Sequence, residues 1–113
     1  MFKSKKKKIL PILTVKNTVF FPGTVMPLMI GREKSLNLID EVIQTGTIFG
    51  IVAQKEADKA DPAENDIYRV GTLAKVIKFS KNEDNHYNVI VEGLSRFEFE
   101  SFTQTEPYFE AEV

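Results

Sequence analysis

The sequence predicts a mostly β domain with one helix (α+β): a small antiparallel β-barrel of about six strands, the helix inserted near residues 32–45. Three observations carry this. Apolar and polar residues alternate in the C-terminal half, with Tyr87, Val89 and Val91 set against Asn88, Ile90 and Glu92, and Phe97 and Phe99 against Arg96, Glu98 and Glu100. Phe109, Ala111 and Val113 alternate in the same way with Glu110 and Glu112, and a period of two marks a half-buried strand. One stretch alone, "REKSLNLIDEVIQTG", spaces its apolar residues by three and four, and prolines and glycines punctuate the boundaries.

Taken in order, "ILPILTV" (Ile9 to Val15) reads as the first strand, and Pro11 confines it to an edge or a strand start. Pro22-Gly23 is a type II turn signal: proline sets the first central residue and glycine takes the positive φ. "TVMPLMI" (Thr24 to Ile30) is a second strand, in which Pro27 removes a ladder donor and so predicts an edge or a bulge. In the helix, Leu36, Ile39 and Val42 or Ile43 form the apolar stripe, Leu38 widens it, and Gly46 supplies the stop. "TIFGIVAQK" reads as a buried strand and "EADKADPAENDI" as an acidic loop. "YRVGTLAKVIKFS" is a strand with Leu73, Ile77 and Phe79 among the apolar positions of one face, and "KNEDNH" is a hairpin connection. The last strand stops in mid-alternation at Val113, which suggests a longer parent chain.

At 113 residues the chain fits one domain, read as 9–113 behind a basic, flexible tail at 1–8. The net charge of −1 hides an asymmetry: residues 1–34 carry eight Lys/Arg and one Glu, whereas residues 35–113 carry seven Lys/Arg and fifteen Asp/Glu. The absence of cysteine removes disulfides, thiolate metal sites and cysteine nucleophiles, and fits a reducing, cytoplasmic setting. A single histidine, His86, cannot build a multi-histidine metal site. Apolar runs fall far short of the ~20 residues that span a bilayer, so no membrane partner is expected.

No catalytic constellation is legible. His86 lies among Asn and Asp in a hairpin connection, and Glu98, Glu100, Glu110 and Glu112 form solvent-facing stripes. Lys34-Ser35 at a helix start is no phosphate-binding loop, because Glu33 stands where that loop needs glycine. What remains is surface. Val19, Phe20, Phe21 and Pro22 crowd one turn, Met26 and Met29 follow, and together they form a candidate apolar patch for binding protein. The same residues could instead plug the interior.

The ordered set Leu10-Pro11, Phe21-Pro22-Gly23, Pro27-Leu28, Gly31-Arg32 and Lys34-Ser35 resembles the start of the Lon protease N-terminal domain. "IVAQKEADKADP", "YRVGTLAKVIK", "VIVEGLSRFEFES" and "YFEAEV" extend the resemblance over almost everything after the lysine tail. It implies a PUA-like barrel and a non-catalytic front end of an ATP-dependent serine protease. Such a module would recognise unfolded or damaged proteins and deliver them to a hexameric ATPase–protease formed by the rest of the chain. ATP and Mg would belong to that parent, with no cofactor in these residues. Arg32 and Glu33 are possible subunit contacts. Two alternatives stay open: an RNA- or DNA-binding module using the lysine tail, and a stand-alone adaptor or assembly domain.

Overall fold

The computed structural model describes residues 9–16, 20–55 and 64–113. Its elements are β1 (Ile9–Val15), β2 (Val25–Ile30), α1 (Glu33–Thr45), β3 (Phe49–Gln54), a short 3-10 turn (Glu64–Asp66), β4 (Ile67–Lys81), β5 (Tyr87–Glu98), β6 (Phe102–Gln104) and β7 (Phe109–Glu112). The lysine tail and Val19 lie outside the described residues.

The strands form one seven-stranded sheet in the order β2-β5-β4-β3-β1-β7-β6. The mostly β, one-helix class therefore stands, with seven strands in place of about six and a ladder that ends at β2 and β6 without closing. One pair is parallel: β1 runs beside β3 from Ile12↔Gly50 to Val15↔Ala53. Parallel neighbours need a crossover, and β2 with α1 supplies it. β1 is thus an interior strand, flanked on its other side by β7. Pro11, expected at an edge or a strand start, is instead the third residue of this interior strand, paired with Glu110 of β7 and placed just before the β3 pairing begins at Ile12, so no β3 ladder bond is lost to it.

Alternation along the interior strands fills two cores. Leu13, Phe49 and Ile51 point to the face that α1 covers with Leu38, Ile39 and Val42, where Ile30, Val89 and Val91 join them. Ile12, Val52 and Ile67 point to the other face, against Phe97, Phe99 and Phe109. Each such side chain, once fully buried, contributes about 1.5–3 kcal/mol relative to exposure. A Cβ on Gly50 would run into the Phe97 ring and the Ile12 side chain, so the distal end of β5 folds across β3 there. α1 thus covers one face, and the sheet's own strands close over the other.

The helix ends as the sequence predicts. Gly46 adopts φ 69° and its N–H donates to the Val42 carbonyl, the left-handed C-terminal cap that glycine takes without strain. β4 departs from its expected pattern. Its pairing with β5 shifts register between Thr72 and Ala74 and again between Val76 and Lys78. The extra residue lies on β5 at the first shift and on β4 at the second. Thr72 and Ala74 are buried, whereas Ile77 and Phe79, two steps apart in the opposite phase, are exposed.

Candidate functional site

The turn before β2 has the predicted geometry. Thr24 N–H donates to the Phe21 carbonyl at 3.1 Å, and Gly23 between them has φ 84°, as a type II turn requires. Because extended neighbours point to opposite sides, the two phenylalanines divide. Phe20 is only 8% exposed and packs in the core beneath α1, while the buried Thr72 hydroxyl donates to its carbonyl at 2.9 Å. Phe21 is 51% exposed, with the Arg96 guanidinium 5.9 Å from its ring centroid. Pro22 is exposed beside it.

β2 repeats the division. Met26, Leu28 and Ile30 face inward, opposite Val91, Val89 and Tyr87. Val25, Pro27 and Met29 face outward, and Met29 reaches 72% exposure. Of the six residues read as an apolar patch, Phe21, Pro22 and Met29 are therefore at the surface. Phe20 and Met26 belong to the interior because alternation turns them there, and Val19 lies outside the described residues. Sequence reasoning missed Val25 as part of the outward set, although its spacing from Pro27 and Met29 in steps of two was the available signal. Ile90 lies opposite Pro27 on the neighbouring strand, and no sequence pattern could have placed it there.

The backbone of β2 has an orientation too. Gly93 N–H donates to the Thr24 carbonyl at 2.8 Å, and Gly23 N–H to the Gly93 carbonyl at 2.9 Å. In an antiparallel ladder bonded pairs recur every second residue, so Met26, Leu28 and Ile30 bond to β5. The backbone groups of Val25, Pro27 and Met29 then face the free edge. The proline nitrogen falls where no ladder bond is lost, the edge placement expected for proline. The free edge still presents N–H groups at Val25 and Met29 and carbonyls at all three residues. Beside it, Lys75 pairs with Glu92 at 3.6 Å, an exposed pair of little energetic weight.

A second concavity lies where α1 begins. A cleft of about 480 Å³ is bounded by β1, the first turn of α1 and the segment from Glu106 to Phe109. Arg32 is half-buried there and Glu33 is exposed. Lys34 Nζ sits 3.2 Å from the Glu106 carboxylate and 4.4 Å from the centre of the Phe109 ring. Asn37 Nδ2 donates to the Pro107 carbonyl at 3.3 Å, closing one wall. Among the described residues, no group of three or more His, Cys, Asp or Glu could hold a metal ion, and no helix is long and apolar enough to cross a membrane.

The open, mostly antiparallel sheet with one crossover helix matches the fold of solved Lon N-terminal domains. The Lon N-terminal domain protein from Xanthomonas campestris superposes with a TM-score of 0.70 at 18% identity, over 94% of this chain and 57% of that one. The N-terminal domain of the Mycobacterium avium complex Lon protease gives 0.65 at 18% identity, over 94% and 53%. The sequence places the chain within that group: it belongs to the family of the ATP-dependent protease La (LON) substrate-binding domain, whose model matches residues 9–113. Lon protease of Anaeromyxobacter dehalogenans is 41% identical over 105 residues, 93% of this chain and 12% of that protein. Lon protease of Cytophaga hutchinsonii is 37% identical over 113 residues, 100% of this chain and 14% of that protein. The chain thus spans about one-eighth of the length of the curated relatives it matches.

Proposed function

We propose that this substrate-binding domain holds unfolded or damaged polypeptides on the outer side of β2 and passes them to the ATPase and protease parts of a Lon assembly. The observation that carries this reading is the outward set Phe21, Val25 and Met29, half or more exposed at one sheet edge. An exposed apolar patch of this kind marks a contact surface. The unpaired backbone groups of Val25 and Met29 add a template for an extended chain. A few kcal/mol per domain suffices when several domains are arrayed on one ring, as in the hexamer inferred for the parent, because linked weak sites multiply in effect.

In this reading the chain binds and does not cleave. ATP and Mg act elsewhere in the parent, and the work is cytoplasmic, in keeping with a cysteine-free sequence. Binding of a reduced and alkylated unfolded protein tests it. The double variant Phe21→Ser/Met29→Ser should retain the native circular dichroism spectrum and weaken that binding by about tenfold, since truncating a few anchors removes most of an interface's energy. Undiminished binding by the folded double variant would place the contact surface elsewhere.

A further inference from the structure

Met26 and Met29, three residues apart on β2, are treated oppositely by the fold. Met26 packs against the core beneath α1. Met29, at 72%, is the most exposed large apolar side chain among the described residues. A thioether so placed is open to peroxide, which converts accessible methionine to the sulfoxide. The chain has no cysteine to compete for the oxidant. The ladder also sets Met29 at the end of a polar row. Met29 lies opposite Asn88 and Asn88 opposite Ser80, and cross-strand partners project to the same face. Because the Met29 backbone faces the free edge, Met29 and Asn88 form a non-hydrogen-bonded pair, the kind in which side chains come closest.

Met29, Asn88 and Ser80 line one open groove of about 640 Å³ together with Lys78, Pro27 and Ile90. Asn88, Ser80 and Lys78 are exposed, and among the described residues their side chains make no hydrogen bond or ion pair. A thioether sulfur accepts hydrogen bonds only weakly, so these donors leave reduced Met29 alone. A sulfoxide oxygen is a polar acceptor, and the Asn88 amide stands directly across the ladder from it. We propose that Met29 is a reversible oxidation site that turns off the β2 contact surface, on whose reading above this rests. The sulfur lone pair attacks one oxygen of hydrogen peroxide. The O–O bond breaks as the S–O bond forms, and the second oxygen takes up the proton and leaves as water. Sulfur loses two electrons and the peroxide gains them. An apolar anchor thereby becomes polar, and a bond from Asn88 Nδ2 to the new oxygen draws the side chain off the edge and over the groove. Both effects remove apolar surface from the site. A thiol-dependent methionine sulfoxide reductase restores the thioether.

The test treats the chain with hydrogen peroxide, removes the peroxide, and locates the added oxygen by tandem mass spectrometry. Met29 should be oxidised about fivefold faster than Met26, or more, because it is the accessible one. The oxidised protein should keep its native circular dichroism spectrum. It should bind reduced and alkylated unfolded protein about fivefold more weakly, as when one anchor of an interface is spoiled, and recover on treatment with the reductase and dithiothreitol. Met29→Leu should bind equally before and after peroxide, which excludes Met1 and Met26 as the source. Asn88→Ala, once oxidised, should bind more tightly than oxidised wild type; no gain would overturn the part assigned to Asn88. Oxidation of Met29 no faster than Met26, full binding by the folded oxidised protein, unfolding on oxidation, or peroxide sensitivity that persists in Met29→Leu each overturns the proposal. The β2 reading fails separately. Undiminished binding by unoxidised Phe21→Ser/Met29→Ser rejects the surface itself, whereas weak binding by that variant beside full binding by oxidised wild type rejects the switch alone.

Discussion

The Tyr87 hydroxyl donates to the Asp40 carboxylate at 2.6 Å, tying the middle of α1 to the first residue of β5 across 47 positions of sequence. The bond to Asp40 raises the Tyr87 pKa above its ordinary value of 10.0, and burial and the negative charge of Asp40 push the same way. A group raised in the folded state stabilises the fold fully below its unfolded pKa and loses that contribution as pH climbs through the folded value. Unfolding midpoints should therefore fall above pH ~10. Tyr87→Phe should cost about 1.5–3 kcal/mol at neutral pH, the usual worth of a hydrogen bond to a charged group, and should flatten the alkaline decline. Tyr108, also raised, chiefly by burial and then by Glu110 and Glu41, will leave a residual slope. Urea melts of both proteins at pH 7 and pH 11 check this.

Phe20 and Phe21 should separate cleanly on mutation. Phe20 is core, so Phe20→Ser should destabilise by about 3–5 kcal/mol, the range for deleting a buried ring. Phe21 is half exposed, so Phe21→Ser should change stability by less than about 1 kcal/mol, as surface substitutions do. Denaturant unfolding of the two single variants is the measurement. Comparable losses for both would move Phe21 into the core and remove it from any binding surface.

What could be read in advance follows physical range. Features set by neighbouring residues were legible: the Pro22-Gly23 turn, the Gly46 stop, β1 to its ends, and the helix. Features set by distant pairing were not. Nothing local in "ILPILTV" says that it will lie parallel to β3, and nothing in "YRVGTLAKVIKFS" says which of its two alternating faces turns inward, so the exposure of Ile77 and Phe79 is not legible in the sequence. β6, Phe102–Gln104, is too short for any period to register. Of the candidate site, the pairing Phe21 with Met29 was visible as composition, but its exclusion of Phe20 and Met26 needed the strand phase. The cleft joins Asn37 to Pro107, 70 residues apart, and no sequence signal spans that distance.

Gly46→Ala probes the helix stop. At φ 69° an L side chain is strained, although a Cβ there would meet nothing within 4 Å. The cost should be purely conformational, about 1 kcal/mol. Gly46→Asn should cost less, because asparagine tolerates the left-handed region. Thermal unfolding of the pair distinguishes strain from crowding: equal losses would mean that the added Cβ, and not φ, is at fault.

Gly93→Ala should be the more damaging substitution, through contact instead of strain. A Cβ at Gly93 would lie 2.5 Å from the Phe21 carbonyl oxygen and 3.2 Å from the tip of the Phe20 ring. Neither neighbour is free to yield. The Phe21 carbonyl is held by Thr24 N–H in the turn, and Gly93 itself bonds to both Gly23 and Thr24. The added methyl must therefore push the turn away from β5, opening the bonds that start the β2 ladder. Overpacking of this kind costs about 1–3 kcal/mol. It should also displace Phe21, so Gly93→Ala would lose affinity for unfolded protein in proportion to the shift of the Thr24 and Val25 amide resonances. Full binding by a folded Gly93→Ala protein whose Thr24 amide has moved would show that the turn is not part of the contact surface.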